Sequence, residues 1–246
     1  MSKNIHWHIG CSGFHYKEWK DVFYPAKLPQ KKWFEYYSQQ FGTLELNVTF
    51  YRFPELDFLQ NWNNKSPEHF LFAVKAPRSI THYKKFVDCS QLLADFYSVI
   101  RQGLGNKLGP VLFQLPPQIV YTPERLQQLI DSMDNSFTNV IEFRHNSWWQ
   151  QVVYDALGKH GITFCGISHP SLPCDIIINT DVVYYRFHGV PRLYYSSYNH
   201  QQLQQTADTI IKSGAVKNAY LFFNNTADVA AIANARWLID YVAQNV

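Results

Sequence analysis

The sequence predicts a single domain with the (β/α)₈ barrel fold over residues 1–246. Three observations predict it: the length, eight short runs of strand-forming residues, and helical patterns between most of those runs. A length of 246 residues is typical of one such barrel, in which eight parallel strands alternate with helices. The chain has no linker, internal repeat or low-complexity tract that would divide it.

The predicted strands share one pattern, an apolar run that ends in a polar side chain and then a turn. They lie at residues 6–9, 44–47, 71–75, 111–114, 140–144, 164–168, 183–188 and 220–224. Barrels of this class keep their chemistry at the C-terminal ends of the strands. The polar endings therefore predict where a functional site lies.

Most connections between the strands have the apolar spacing of amphipathic helices. Residues 29–41 place four aromatic rings on one helical face, and residues 92–104 carry a similar stripe. Thr122 followed by Pro123 predicts a helix start, because threonine is a common N-cap and proline is favoured at the first helical position. A last helix is predicted after Asn225. Residues 170–181, between strands six and seven, include Pro173 and lack a helical pattern, so we expect an irregular connection there.

Composition and charge exclude several classes of protein. A hydrophobic content of 46% and a charged content of 17% exclude a disordered chain. The net charge of +3 is too small to indicate a nucleic-acid or membrane partner by itself. No apolar run reaches the ~20 residues that span a bilayer. The four cysteines lack metal-binding spacing and the N-terminus has no apolar leader, so we expect a reduced, cytoplasmic protein.

Alternation along each strand sorts the inward-facing residues into two levels, because residues two apart point the same way and the outer face packs on helices. The deeper level is predicted to hold His8, Glu45, Ala73, Leu112, Glu142, Gly166, Arg186 and Phe222. Two carboxylates and one guanidinium in a low-dielectric interior should pair, which predicts a structural ion network. The alternative is that Glu142 reaches into the cleft as a general base, kept ionised by Arg144.

The upper level combines cations with amides and has no carboxylate. It is predicted to hold Gly10, Asn47, Lys75, Gln114, Arg144, Ser168, His188 and Asn224. Protonation of His188 would add a third cation to Lys75 and Arg144. Desolvated cations repel unless an anion lies between them, and arginine binds phosphate or carboxylate through two parallel hydrogen bonds. We therefore predict a bound anion here, with the three amides hydrogen-bonded to it; the alternative is that Glu45 and Glu142 neutralise the cations from below.

Aromatic residues follow strands one, two, five and seven. They are Phe14, Tyr16, Trp19, Tyr24, Tyr51, Trp148, Trp149, Tyr194, Tyr195 and Tyr198. A cluster of rings at one end of a barrel suits a planar or sugar-like ligand. Tyr16, Trp19 and Tyr51 are therefore candidate ligand contacts.

Three histidines follow strands three, five and six. They are His82, His145 and His169, and a divalent metal site that adds His188 or Glu142 is an alternative use for them. Hard cations prefer several carboxylates, and aspartate is absent from the strand ends. We therefore predict no cofactor and assign His82 and His145 to ligand contact.

Short motifs occur in order over nearly the whole chain. They are GCSGFHY from Gly10, FYP from Phe23, ELNVTFY from Glu45, Lys75 with ITH from Ile80, QLPP from Gln114, EFRH from Glu142, YRFHG from Tyr185 and FNN from Phe223. In these motifs the chain resembles the YecE-like family, domain of unknown function 72. The resemblance implies a TIM barrel and little about activity.

The same resemblance implies a set of functional positions. They are Asn47, Thr49, Tyr51, Lys75, His82, Gln114, Glu142, Arg144, His145, Arg186, His188, Gly189 and Asn224. The chain departs from the family pattern at Phe14, where tryptophan is usual, and at Ser168, where aspartate is usual. The second departure weakens any mechanism that requires another carboxylate at the mouth.

The leading hypothesis is an enzyme that binds an anionic, phosphate-bearing substrate at the C-terminal mouth of the barrel. Lys75 and Arg144 would hold the anion. His188 would transfer protons and Glu142 would orient a group or act as base. Phosphoester hydrolysis on a nucleotide or nucleic acid is the specific reaction that we predict.

Two alternatives remain at this point. A carbohydrate-active enzyme would use Glu45 and Glu142, and it requires both carboxylates to reach solvent without Arg186 closed between them. A non-catalytic barrel that binds an anionic metabolite would need only the cationic contacts.

Overall fold

The computed structural model describes residues 5–245 and forms a closed barrel of eight parallel strands. Each strand pairs with the next along the chain, and β8 pairs with β1. The strands are β1 His6–Ser12, β2 Thr43–Leu46, β3 Leu71–Lys75, β4 Leu108–Gln114, β5 Asn139–Glu142, β6 Thr163–Ser168, β7 Val182–Phe187 and β8 Asn218–Phe223. The (β/α)₈ barrel that the sequence predicts is confirmed.

Helices occupy most of the connections. They are α1 Trp33–Gln40, α2 Val48–Tyr51, α3 Leu56–Lys65, α4 Ser90–Leu104, α5 Pro123–Ser132, α6 Gln151–Lys159, α7 His200–Ser213 and α8 Ala230–Asn245. A π-helical segment, Ser79–Lys84, follows β3. Between β6 and β7 the described residues 169–181 form no helix, as predicted. Within residues 5–245, no helix is both long enough and apolar enough to cross a membrane.

The strands separate two apolar clusters. Outward residues such as Leu44, Val74 and Phe113 share a core with helix residues such as Leu93 and Ile210. The inner cluster comprises Ala73, Leu112, Val140, Cys165, Ile167, Tyr184, Tyr220 and Phe222. These apolar side chains fill the interior of the barrel, and the charged side chains of Lys75, Glu142 and Arg186 lie toward the C-terminal ends of their strands.

The orientation predicted for β6 is wrong by one residue. Cys165 and Ile167 face the interior, whereas Gly166 and Ser168 were expected there. A side-chain carbon at Gly166 would come within 2.7 Å of the Tyr185 ring, which belongs to the outer core. The Ser168 hydroxyl accepts a hydrogen bond from the Tyr198 hydroxyl at 2.8 Å, outside the barrel mouth. Every residue of this strand is small or apolar, so alternation of polarity gave no signal.

Candidate functional site

A buried ion network crosses the barrel beneath its mouth. Nη2 of Arg186 lies 2.6 Å from Oε1 of Glu45, and Nη1 lies 2.6 Å from Oε2 of Glu142. The Tyr184 hydroxyl donates to the other oxygen of Glu45 at 2.6 Å. Both carboxylates have side chains that are 0% exposed. The network predicted for the deeper level is therefore present, and it links β2, β5 and β7.

This closed network removes the basis for the carbohydrate-active alternative. That hypothesis needs two carboxylates that reach solvent on either side of a glycosidic bond. Arg186 instead lies between Glu45 and Glu142, and neither carboxylate is exposed. Burial alone would raise the pKa of Glu142, but the guanidiniums of Arg144 and Arg186 outweigh it and hold that pKa well below its usual range.

Arg144 is held in place at the mouth by two neighbours. Its Nε donates to Oε1 of Glu142, and its Nη2 lies 3.1 Å from Nε2 of His188. Among the described residues, Nη1 makes no hydrogen bond, and 13% of the side chain is exposed. Arg144 therefore presents one edge of its guanidinium toward the mouth.

His188 is not the third cation that the sequence suggested. The ring is fully buried, and burial followed by the nearby Arg144 guanidinium lowers its pKa well below the usual 6.5. A guanidinium only donates, so the neutral ring accepts through Nε2 and carries its proton on Nδ1. Nδ1 lies 2.8 Å from the amide Nδ2 of Asn224, and a half turn of that amide places its oxygen to accept the proton. His188 thus links Asn224 to Arg144.

Lys75 lies at the end of β3 and has no carboxylate partner among the described residues. Its Nζ donates to Oε1 of Gln114 at 2.7 Å and lies 4.2 Å from the centre of the Phe50 ring. The residue is 8% exposed. Burial, with a further contribution from Arg186, lowers the pKa of Lys75 to about 7. A neutral amide and an aromatic face thus surround an amine that titrates near neutral pH.

His82 reaches the same part of the mouth from the π-helical segment. Its ring lies 4.9 Å from that of Phe50, and its Nδ1 lies 2.8 Å from the hydroxyl of Thr81. The Thr81 hydroxyl also lies 3.4 Å from the carbonyl oxygen of Pro77, and among the described residues Nε2 of His82 makes no hydrogen bond. Burial, then the charges of Lys75 and Arg144, lowers the pKa of His82 to about 4.

Sequence reasoning missed two residues at this end of the barrel. Phe50 was noted only within a motif, yet its ring packs against both Lys75 and His82. Ser12, the last residue of β1, pairs in register with Glu45 and has a buried hydroxyl without a hydrogen-bond partner among the described residues. Its position two residues after Gly10 on the same strand was the available signal.

Asn47 and Arg186 also keep a free polar atom near the mouth. Nδ2 of Asn47 lies 3.3 Å from Oε1 of Glu45, while its Oδ1 is buried without a partner among residues 5–245. Nε of Arg186 is likewise unpartnered in that part of the chain. Buried polar atoms are normally hydrogen-bonded, so Oδ1 of Asn47 and Nε of Arg186 are hydrogen-bonding groups still available beside the ion network.

Several predicted ligand contacts lie elsewhere or are covered. Trp19 is fully buried and its indole donates to the carbonyl of Asp228 at 3.2 Å, so it offers no free face. Tyr16 donates to the carbonyl of Ser12 at 2.5 Å. His145 caps a short turn, because its Nδ1 accepts a hydrogen bond from the backbone N–H of Ser147 at 3.3 Å. Tyr51 is 68% exposed, at the end of α2.

The wider aromatic rim is mostly part of the core. Trp19, Tyr24 and Trp148 are 0% exposed, and their rings pack under loops.

Within the described chain, no group of three or more histidine, cysteine, aspartate or glutamate side chains has an arrangement that could hold a metal ion. The mouth is therefore a patch of cations, amides and two neutral histidines, His82 and His188.

Comparison with known proteins adds the family. A family model described as "Protein of unknown function DUF72" matches residues 8–246. The chain belongs to the DUF72 family. The YecE-like resemblance seen in the motifs is thereby confirmed.

Solved and curated relatives of this DUF72 chain agree with that assignment. A crystal structure of a DUF72 family protein from Thermotoga maritima is 30% identical, with a TM-score of 0.87 over 97% of this chain and 99% of that chain. The UPF0759 protein YunF of Bacillus subtilis is 29% identical over 142 residues, and the UPF0759 protein YecE of Escherichia coli K12 is 28% identical over 136 residues. These matches cover 55% and 52% of this chain, and the chain spans about half the length of both curated relatives. None of the names states an activity.

Proposed function

We propose that this DUF72 chain is an enzyme whose barrel mouth binds a small anionic substrate that carries phosphate or carboxylate. Arg144 contacts the anionic group, and Lys75 lies beside the part of the substrate that reacts. The observation that carries the proposal is the exposed edge of a guanidinium that Glu142 and His188 hold rigidly. A preorganised guanidinium loses little freedom when it binds an anion.

The charge balance at the mouth supports an anion rather than a cation as ligand. Two carboxylates, Glu45 and Glu142, offset two guanidiniums, Arg144 and Arg186. The ammonium form of Lys75 then adds one uncompensated positive charge. Since few water molecules screen charges at a buried site, an incoming anion is strongly favoured there.

Geometry supports phosphoester hydrolysis less well than anion binding. The two groups expected to activate water, Glu142 and His188, are fully buried and already hydrogen-bonded. The ring of His82 is only partly buried, but its pKa of about 4 makes it a weak base at neutral pH.

Titration with inorganic phosphate and with oxalate, followed by thermal shift and calorimetry, tests the proposal. We expect saturable binding to the wild type, weakened at least about tenfold by Arg144→Gln, because a charge-assisted hydrogen bond is lost. Arg144→Lys keeps the positive charge but loses the planar guanidinium that can form two parallel hydrogen bonds, and should weaken binding less. Lys217→Gln is the matched control, since Lys217 is exposed and paired with Asp181 at 2.9 Å, before β8.

Equal binding by the wild type, Arg144→Gln and Lys217→Gln would overturn the anion site. Sodium chloride at matched ionic strength separates specific binding from general screening. If Arg144→Gln does not fold, Arg144→Lys still tests whether the guanidinium contributes to anion binding. Binding of anions without turnover of any phosphate or carboxylate compound would favour the non-catalytic barrel instead.

A further inference from the structure

The amine of Lys75 is placed as a nucleophile at the mouth. We propose that Lys75 forms an imine with the carbonyl group of an aldehyde or ketone that also carries a phosphate or carboxylate. This inference deepens the proposed function and rests on it for the anionic group only. It names a reaction type and a substrate class for the same site.

Contacts around Nζ favour a reactive amine over a structural one. Its hydrogen-bond partner is the neutral amide oxygen of Gln114, and its other neighbour is the face of Phe50. Within residues 5–245 no carboxylate lies within ion-pair distance of it, whereas each guanidinium of the network has one. A buried lysine without an anionic partner is the environment in which imine-forming lysines lose their proton.

Charged and titratable groups face Lys75 from several elements. The ammonium form of Lys75 is disfavoured by the guanidiniums of Arg186 and Arg144 and favoured by the carboxylates of Glu142 and Glu45. The neutral ring of His82 adds no charge that would stabilise it. Burial and these charges together give Lys75 a pKa of about 7, so much of the amine is neutral at physiological pH. A largely neutral amine is consistent with the contacts of Nζ with the amide of Gln114 and the ring of Phe50.

Arg144 lies at a suitable separation to hold the anionic end of such a substrate. Lys75 ends β3, Gln114 ends β4, and Arg144 follows β5, so one strand separates the two cations. Neighbouring strands lie about 4.8 Å apart, which places the two backbones roughly 10 Å apart. Lys75 and Arg144 both lie at the C-terminal end of the barrel, and we infer that a molecule of a few carbon atoms can contact the two.

The covalent step balances without any added oxidant or reductant. The ammonium form of Lys75 first loses one proton to solvent, and neutral Nζ attacks the carbonyl carbon to form an N–C bond. Both remaining N–H protons move to the carbonyl oxygen, the C–O bond breaks and water leaves, and one proton from solvent returns to the imine nitrogen. The protonated imine then carries the positive charge that the ammonium carried before. His82 packs against the same Phe50 ring as Lys75, and solvent supplies and takes up the protons.

Reductive trapping tests the imine. The full-length wild type is incubated at neutral pH with pyridoxal 5′-phosphate, an aldehyde that bears a phosphate, and in parallel with pyridoxal, which lacks it. Sodium borohydride then reduces any imine to a stable secondary amine, and peptide mapping locates the labelled lysine. We expect Lys75 to be labelled at least about tenfold faster than exposed lysines, because an ordinary lysine is almost fully protonated at this pH.

Variants define the expected pattern. Lys75→Arg keeps a cation but has no amine that can form an imine, so the fast label should disappear while phosphate binding persists. Lys217→Arg removes an exposed lysine and should leave the fast label unchanged. Inorganic phosphate should slow labelling of Lys75 by pyridoxal 5′-phosphate and leave labelling by pyridoxal nearly unaffected.

The outcomes separate the two proposals. Labelling spread evenly over exposed lysines, while phosphate still binds, overturns the imine and leaves the anion site intact. Fast labelling of Lys75 by pyridoxal in a protein that does not bind phosphate supports the imine and overturns the anion site. Fast labelling that persists in Lys75→Arg assigns the reactive amine to another lysine and overturns the inference.

Discussion

Lys75 shows how a single residue can be costly for the fold and useful at a site. Its amine is buried, and its hydrogen-bond partner is an uncharged amide. Burial of an ammonium without a carboxylate disfavours the folded state, and the pKa lowered from 10.5 to about 7 reflects that cost. Natural proteins commonly keep such residues at functional sites, where stability is exchanged for reactivity.

Lys75→Met should therefore stabilise the protein. At pH 7 we expect a gain on the order of 2 kcal/mol, after allowing for the lost contacts with Gln114 and Phe50. The folded-state pKa is lower than the unfolded one, so the wild-type penalty is full below about 7 and fades as pH rises toward 10.5. Urea unfolding at about pH 7 and about pH 9.5 should show the gain shrinking at the higher pH.

The matched control is Lys217→Met, which removes an exposed lysine and should change stability little. A loss of stability in Lys75→Met at neutral pH would mean that the ammonium contributes favourably to the fold. That result would contradict a functional explanation for its burial.

Among the secondary-structure elements, helix starts are set by capping side chains that can be recognised in the sequence. Helix α5 begins at Pro123, and the Thr122 hydroxyl accepts a hydrogen bond from the amide of Arg125 at 3.2 Å. Helix α7 has a capping box between Asn199 and Gln202 that was not predicted. In both cases the signal is a side chain that satisfies a free backbone N–H of the first turn.

Thr122→Ala should destabilise the protein by about 1 kcal/mol, because an N-terminal N–H of α5 loses its acceptor. Thermal or urea unfolding measures the change. Thr122→Ser keeps the hydroxyl and is the control, expected to unfold close to the wild type. Equal losses in the two variants would show that the methyl group, rather than the cap, accounts for the effect.

For the barrel as a whole, the ion network connects strands that are distant in sequence. Glu45 on β2, Glu142 on β5 and Arg186 on β7 meet near the barrel axis. Each charge was removed from water, so the network is favourable only while all of its members are present. The network also fixes Arg144, and through it the mouth.

Glu142→Gln should destabilise the whole barrel by about 3–5 kcal/mol, because two buried guanidiniums lose a shared anion. The lowered pKa of Glu142 means that its contribution is fully present above the ordinary value of 4.5 and is lost as pH falls through the folded-state value. The difference between wild type and variant in urea unfolding should accordingly narrow in acid. Glu55→Gln, in an exposed pair with Arg52, is the control and should have little effect.

The sequence by itself determined the barrel, the irregular connection after β6, and the pairing of Glu45 and Glu142 with Arg186. These follow from local rules: run length, period-two alternation, capping, and the cost of an unpaired buried charge. Tertiary structure alone decided the inward face of β6, the neutral state of His188, and the burial of Trp19. These three features depend on which side chains from distant segments pack together and exclude water. The order of residues along the chain does not show which segments meet.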